Sequence, residues 1–311
     1  MKKSKSPSYL IISGTHGNET NAVQDVFDLK LRFDEKIDTR LLDKNIDFYQ
    51  GWNKTALEFC TREFQKAEDE IPSDLNRAFT DKIPEDKECI VEELKSKIKV
   101  NDVIIDVHNS PLLRNCVVIN NGPYARNYVH FCKDKGLDFL LIESTTDTIK
   151  KYATDNNKVG FTVEIGDMGF TDSKDGVDFL IKLIAGIANK LAEDGDTFSR
   201  DIPQLGPFAY TEVSQEVYVH SKGLLRVIGD NGLTGIERAG VKPRRSEVLR
   251  HYSKGEIMFV VADPETNEIK ELIKAPCEGT LMDLLEGYWV VEGLSIGTFQ
   301  PDISYDTILN G

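Results

Sequence analysis

The segment Tyr9-Leu-Ile-Ile-Ser-Gly-Thr-His-Gly-Asn-Glu19 decides how the fold begins. It opens with an apolar run that closes on Gly14, which is typical of a short buried strand. Apolar residues then recur at helical spacing over residues 20–31. The stretch therefore predicts a strand, a loop and a helix in succession, and His16 and Glu19 lie close together in the loop.

The alternation of strand and helix continues over the first two-thirds of the chain. Short apolar runs at residues 103–107, 116–119, 139–142 and 161–165 predict buried strands, and helical spacing predicts helices over residues 87–99, 124–135 and 178–191. Strands that alternate with helices indicate an α/β domain. We expect a mostly parallel mixed sheet flanked by helices.

The pattern changes near residues 195–205, where a polar run follows the last long helix. Beyond this run the chain consists of short segments rich in Val, Tyr and Phe, separated by Gly, Asn and Asp-Pro turns, which is typical of β-structure. We therefore predict a catalytic α/β domain over residues 1–200 and a smaller β-rich domain over residues 201–311.

The composition excludes several classes of protein. The 311 residues include 38 Lys+Arg and 52 Asp+Glu, for a formal net charge of −14. Proteins that bind nucleic acids or anionic membranes need a surplus of Lys and Arg, so neither partner is expected. The apolar run near the N-terminus is too short for a signal peptide or a membrane span, which makes a cytoplasmic location the expectation. Five scattered cysteines without a C-x-x-C pair indicate reduced, mostly buried thiols.

Two of the five histidines follow predicted buried strands. Open α/β sheets present their active sites at the carboxyl ends of their strands. His16, Glu19 and His108 together form a set of two imidazoles and one carboxylate, which leaves one zinc position open for a catalytic water. A His-x-x-Glu pair also has a plainer explanation, since a Glu near a helix start is favoured by the helix dipole.

Glu164 is a further candidate because of where it lies. It belongs to Val163-Glu-Ile-Gly166, within an otherwise apolar strand. A carboxylate in such a place is costly unless it is paired, lies near a metal or takes part in chemistry. A general base beside a zinc-bound water would account for it.

Four motifs, in this order, resemble those of the aspartoacylase/succinylglutamate desuccinylase family, a branch of the zinc carboxypeptidase superfamily. They are Gly14-Thr-His-Gly-Asn-Glu19, Asp74-Leu-Asn-Arg77, Asp106-Val-His-Asn109 and Val163-Glu-Ile-Gly166. The rough spacing of the motifs, the length of the chain and its β-rich C-terminal region also resemble those of this family. The resemblance covers most of the chain and is closest in pattern to aspartoacylase, and it implies a C-terminal domain that covers the substrate cleft.

The resemblance implies a metal centre and a catalytic glutamate. It implies one zinc ion per chain, held by His16, Glu19 and His108. Glu164 would take a proton from the zinc-bound water and deliver it to the leaving amine. Asp106 is expected either to orient a metal ligand or to form the turn that ends its strand.

The resemblance also implies substrate-binding residues. Asn76 and Arg77 would bind a substrate carboxylate, and Tyr152 and Tyr288 would line the substrate pocket. Each has a plainer alternative: Arg77 could form an ordinary surface ion pair, and the two tyrosines could be core aromatics with a satisfied hydroxyl.

The sequence departs from the family at two arginines. One that helps to polarise the scissile carbonyl is absent, because residues 67–73 are acidic, and a second is absent from the stretch before the catalytic glutamate, which offers only Lys158. We predict Arg114 as the catalytic replacement cation, with Arg62 and Lys66 behind it, and a solvated Arg114 is the alternative. Fewer cations at the site predict a substrate with fewer negative charges than N-acetylaspartate.

The leading hypothesis is a zinc-dependent amidohydrolase that deacylates a small-molecule substrate, an N-acyl amino acid or a related amide. One alternative is a zinc carboxypeptidase that acts on short peptides or amide conjugates. Another, prompted by the missing arginines, is a metal-binding protein without hydrolytic activity. The sequence leaves the acyl group and the amino acid undetermined, and a homodimer is compatible with it.

Overall fold

The computed structural model describes residues 7–36, 45–59, 74–79, 85–110, 115–122, 124–143, 148–166, 174–194, 214–229, 232–233, 251–266, 268–282 and 289–303. These residues form two compact units. The second unit holds the described residues from 214 onward together with Leu140–Glu143, and the first unit holds the others. The domain boundary predicted near residues 195–205 lies outside the described residues.

A six-stranded sheet forms the centre of the α/β region. Its strands are β1 (Tyr9–Ser13), β2 (Ile46–Gln50), β3 (Val103–Ser110), β4 (Cys116–Asn120), β5 (Phe139–Ile142) and β6 (Val159–Gly166), in the order β2-β1-β3-β6-β4-β5. β1 runs parallel to β2 and β3, and β3 runs parallel to β6, whereas β4 is antiparallel to β6. The predicted mostly parallel mixed sheet is confirmed.

Helices accompany the sheet. They are α1 (Thr20–Lys36), α2 (Lys54–Phe59), α3 (Glu85–Val100), α4 (Ala125–Asp134), α5 (Ile149–Asp155) and α6 (Lys174–Asp194), with a 3-10 helix at Leu75–Arg77. All five residues of β1 are buried, which suits a strand covered on both faces. α1 buries Ala22, Val26, Leu29 and Phe33, whose spacing places them on one side of the helix. No helix among the described residues has the length and apolar character needed to cross a membrane.

The strand pairing brings the candidate site residues to one edge of the sheet. Ser13, at the end of β1, is level with Val107 on β3, and His108 is level with Glu164 on β6. The loop that follows β1 therefore leaves the sheet beside the ends of β3 and β6. This is the edge at which open α/β sheets present their active sites.

The second unit consists of antiparallel strands. They are β7 (Gln215–Tyr218), β8 (Gly223–Gly229), β9 (Gly232–Leu233), β10 (His251–Tyr252), β11 (Ile257–Ala262), β12 (Ile269–Lys274), β13 (Gly279–Leu281), β14 (Trp289–Val290) and β15 (Ser295–Pro301). One sheet has the order β10-β13-β15-β7, and the other has the order β12-β11-β8-β14 with β9 beside β8. Tyr252, Phe259 and Phe299 are among the buried residues of its core. The predicted β-rich C-terminal region is confirmed.

Candidate metal centre

The loop between β1 and α1 is held in a tight conformation by two glycines. Gly14 has a positive φ of +79°, a backbone conformation that side chains other than that of glycine rarely adopt. A Cβ atom at Gly17 would overlap the backbone carbonyl of Ala56, in α2. Because glycine permits this close approach, the loop lies directly against α2, and His16 is fixed between the two glycines.

Three side chains converge at the end of the sheet. One carboxylate oxygen of Glu19 lies 2.6 Å from Nδ1 of His16, and the other lies 2.9 Å from Nδ1 of His108. Each of the three residues can offer a ligand atom within 4.8 Å of those of the other two, and all three residues are buried. The fold thus brings His16 and Glu19 of the loop together with His108 near the end of β3. Two imidazoles and one carboxylate are a set of ligands that fits a zinc site.

Each imidazole also contacts a second carboxylate. Nε2 of His16 lies 3.1 Å from Asp74, and Nε2 of His108 lies 2.8 Å from Asp106. A carboxylate at Nε2 fixes the proton on that nitrogen and turns Nδ1 towards the ligand position, as the outer partners of metal-binding histidines do. Of the two expectations for Asp106, the structure supports the one in which it orients a ligand.

A network of hydrogen bonds holds the Asp106 carboxylate in place. The Thr15 hydroxyl donates to Asp106 over 3.1 Å and accepts from the indole N–H of Trp52 over 3.1 Å. The side-chain amide of Asn53 in turn donates to the Thr15 carbonyl oxygen over 2.9 Å. The sequence gives no spacing signal for this network, because its members are joined only by the folded chain.

The charges of the three converging residues are strongly coupled. Burial lowers the pKa of His108, but Asp106 and Glu19 outweigh this effect and hold its pKa well above the usual range. Burial likewise opposes ionisation of Glu19, yet the neighbouring His108 and His16 lower its pKa to about 2. The site therefore favours a carboxylate surrounded by positive charge. A divalent cation would supply the same compensation as protons on the two Nδ1 atoms.

Glu164 has an unusual environment. Its Oε2 atom is buried and has no hydrogen-bond partner among the described residues. Burial raises the pKa of this carboxyl to about 7; His108 opposes the rise, and the negative charges of Glu19 and Asp106 add to it. A carboxyl group that gains and loses its proton near neutral pH is suited to general acid–base chemistry.

The Asp-Leu-Asn-Arg motif lies beside the converging residues. Asp74, which contacts His16, also accepts a hydrogen bond from the backbone N–H of Asn76 over 2.8 Å and so caps the 3-10 helix. Asn76 is buried, and its side-chain oxygen accepts from the backbone N–H of Ile149 over 3.1 Å, which leaves its amide NH2 as a donor group. Arg77 is exposed.

The other predicted site residues have different outcomes. Tyr152 is partly buried against the core that includes Phe79, whose ring centroid lies 5.8 Å away, and Lys95 Nζ lies 5.4 Å from the tyrosine ring. This packing agrees with the alternative of a core aromatic. The predictions for Arg62, Lys66, Arg114 and Tyr288 lie outside the described residues.

A second group of His and carboxylate side chains lies in the β-rich unit. It consists of His251, Glu278 and Asp302, all of which are exposed. Nε2 of His251 lies 2.7 Å from Asp302. No sequence motif surrounds His251. Side chains of the types that bind metals therefore come together in the β-rich unit as well as at the end of the central sheet.

The protein is thus an α/β protein with a buried set of two histidines and one glutamate, suited to a metal ion, at the end of its central sheet. Residues 5–188 match the family model described as the succinylglutamate desuccinylase/aspartoacylase catalytic domain. The match covers more than half of the chain, so the protein belongs to this family of hydrolases. The family that the sequence motifs resemble is thereby confirmed.

Solved structures share the fold. The product-bound ectoine utilization protein EutE (DoeB) from Ruegeria pomeroyi is 13% identical, with 97% of this chain and 87% of that chain covered at a TM-score of 0.63. An aspartoacylase family protein from Mesorhizobium loti is 18% identical, with 96% and 87% covered at a TM-score of 0.61. Murine aminoacylase 3 is 14% identical, with 96% and 99% covered at a TM-score of 0.51. No curated protein sequence matches the chain.

Proposed function

We propose that the protein is a zinc-dependent amidohydrolase that removes the acyl group from an N-acyl amino acid or a closely related small amide. The observation that carries this proposal is the buried group of His16, Glu19 and His108, which lies at the same edge of the sheet as Glu164. The buried Oε2 atom of Glu164 has no hydrogen-bond partner in the described part of the chain. Membership of a family of deacylating hydrolases supports it.

The donor set suits one zinc ion. His16, Glu19 and His108 would hold it, and the contacts of Asp74 and Asp106 with the two imidazoles would keep Nδ1 of each ring turned towards it. When bound, zinc would lower the pKa of a coordinated water to about 7 and polarise the substrate carbonyl.

Glu164 would act as both base and acid. Its carboxyl has a pKa of about 7 because it is buried, so both the ionised and the protonated form are accessible near neutral pH. In the ionised form it would accept a proton from the attacking water. It would then deliver that proton to the nitrogen of the departing amine, which an amide hydrolase must protonate before the C–N bond breaks.

Neighbouring groups would recognise the substrate. The exposed guanidinium of Arg77 and the amide NH2 of Asn76 are donors suited to the free carboxylate of an N-acyl amino acid. Tyr152 and Tyr288 remain proposed pocket residues, and Arg114 remains the proposed cation for the oxyanion. If Arg114→Ala lowers turnover no more than Lys151→Ala, which removes an exposed lysine, Arg114 has no such role.

A substrate panel tests the proposal. The zinc-loaded protein would be assayed with N-acetyl derivatives of apolar, basic and acidic amino acids and with dipeptides of the same residues. We expect hydrolysis of acetylated amino acids, with N-acetylaspartate below the others, and turnover at least about 100-fold lower in Glu164→Gln. Cleavage of dipeptides alone would favour the carboxypeptidase alternative. Stoichiometric zinc without turnover of any amide would favour the alternative of a metal-binding protein that has no hydrolytic activity.

A further inference from the structure

A cavity in the first unit has a volume of about 310 Å³ and lies where β4 ends, beside α4 and α5. We call it the Lys150 pocket. The lining side chains that matter for its chemistry are Asn120, Tyr124, Tyr128, Lys150, Lys151 and Asp155.

The Lys150 pocket is separate from the candidate metal centre. Cys116, at the start of β4, is level with Glu164, and β4 runs antiparallel to β6 and so away from the metal-centre edge. Asn120 lies four residues further along β4, which corresponds to about 13 Å. The metal ligands and this pocket therefore belong to opposite ends of the sheet.

Lys150 is the chemically unusual residue of the pocket. It is only 8% exposed. Its Nζ donates to the Val118 carbonyl oxygen over 2.9 Å and to the side-chain oxygen of Asn120 over 3.3 Å. Both acceptors are neutral, and among the described residues no carboxylate pairs with this lysine. An ammonium group has three N–H donors, so one remains for a further acceptor.

A buried ammonium without a counter-charge is unfavourable. Burial lowers the pKa of Lys150 to about 7, and the neighbouring Cys132 opposes this only in part. An anion beside Nζ would restore the charged form and satisfy the third N–H. Because Nζ lies beside Asn120 and 5.6 Å from the Tyr128 ring, two residues that line the cavity, such an anion could enter from the pocket.

The other lining groups narrow the chemistry of the ligand. Lys151 is already paired with Asp155, at 2.6 Å, so it offers no second strong site for an anion. Tyr124 and Tyr128 contribute aromatic surface to the lining. One cation beside aromatic walls favours a ligand with one negative charge and an apolar body over a phosphate or a dicarboxylate.

We propose that the Lys150 pocket binds a small monocarboxylate with an apolar or aromatic body, whose carboxylate pairs with Lys150 Nζ. This site is independent of the proposed amidohydrolase activity, because it lies at the other end of the sheet. Its occupancy can be measured without any turnover, so the failure of one proposal leaves the other in place.

Benzoate and its neutral isostere benzamide are suitable probes. Isothermal titration of the full chain at pH 6.5 should show saturable binding of benzoate and none of benzamide. Lys150→Met should weaken benzoate binding about tenfold or more, the loss expected for a charged hydrogen bond. Lys151→Met removes the same charge from the next residue and should change binding by no more than about twofold. Equal binding of benzoate and benzamide, or equal effects of the two variants, would overturn the proposal.

A second measurement uses the wild-type chain, so its result does not depend on whether Lys150→Met folds correctly. Above pH 7, benzoate must bind together with a proton, because the ammonium form is the one it pairs with. Affinity should fall about tenfold per pH unit above 7. Titrations at pH 8 in buffers of different ionisation enthalpy should report uptake of close to one proton.

Burial brings the pKa of Lys150, at about 7, into this range. Burial raises the pKa of Tyr128 and of Cys132, so both stay protonated. Lys151 and Asp155 form their own ion pair. Benzoate binding with no proton uptake at pH 8 would show that Lys150 is not the recognition group.

Discussion

Two groups of side chains in this protein have similar composition but different surroundings. His16, Glu19 and His108 are buried, and each imidazole contacts two carboxylates. The group of His251, Glu278 and Asp302 is exposed. The comparison teaches that a suitable set of ligand types is not enough to identify a metal centre, because burial and outer hydrogen-bond partners also differ between the two.

The difference has an energetic basis. A buried carboxylate needs a compensating positive charge, because water cannot reach it. An exposed ion pair is solvated and screened, and such pairs contribute between 0 and about 1 kcal/mol. Glu19 therefore depends on its two imidazoles or on a cation, whereas Glu278 and Asp302 do not. We expect tight metal binding at the buried group only.

The largest effect on turnover is expected at Glu164. Glu164→Gln keeps the shape of the side chain and removes proton transfer, so kcat should fall by a factor on the order of 10²–10⁴. Zinc content should stay at the wild-type level. Retention of more than half of the wild-type turnover would remove Glu164 from the mechanism.

The outer carboxylates provide the next test. Asp106→Asn should weaken the hydrogen bond to Nε2 of His108 and lower zinc affinity by about 10–100-fold. This is the loss expected when the hydrogen-bond partner of a metal-binding histidine is changed. Competition with a chromophoric chelator measures this affinity. Asp302→Asn, the equivalent change beside His251, is the matched control and should leave zinc affinity unchanged. An equal loss in both variants would erase the distinction between the two groups.

The smallest expected effect is on stability and concerns the exposed pair of His251 and Asp302. The hydrogen bond from His251 to Asp302 raises the pKa of His251 above the usual value for histidine. A raised pKa of a histidine adds stability below the unfolded-state pKa, and this stability is lost as the pH rises through the folded-state pKa. His251→Gln should therefore be less stable than wild type at pH 5.5 and equal to it at pH 9. The difference should be no more than about 1 kcal/mol, in urea unfolding monitored by circular dichroism.

Much of the fold could be predicted from local patterns. β1 and β3 each begin with an apolar run, and α3 and α6 are long enough to show helical spacing. β2, α2 and α5 have no counterpart among the sequence predictions. β2 has alternating polar residues and is only partly buried, so it lacks a strong signal. α5 has seven residues, which is too short for a periodic pattern to stand out.

Only part of the candidate metal centre could be predicted from the sequence. His16 and Glu19 lie in one loop, so the sequence alone places them together. The contact of His16 with Asp74 spans 58 residues and depends on the folded chain. The same is true of Thr15 and Trp52, whose hydrogen bond supports Asp106. Local spacing carries no information on such distant contacts. The motifs therefore indicated the ligands and an orienting role as one expectation for Asp106, but not the hydrogen bonds of Thr15 and Trp52 that hold Asp106 in place.

We propose that the buried group of His16, Glu19 and His108 holds the catalytic zinc. The most direct test is the zinc content of three purified chains, wild type, His16→Ala and His251→Ala, measured by mass spectrometry after exhaustive dialysis. We predict about one zinc per chain in wild type and His251→Ala, and none in His16→Ala. A full zinc complement in His16→Ala, or its loss in His251→Ala, would contradict this account.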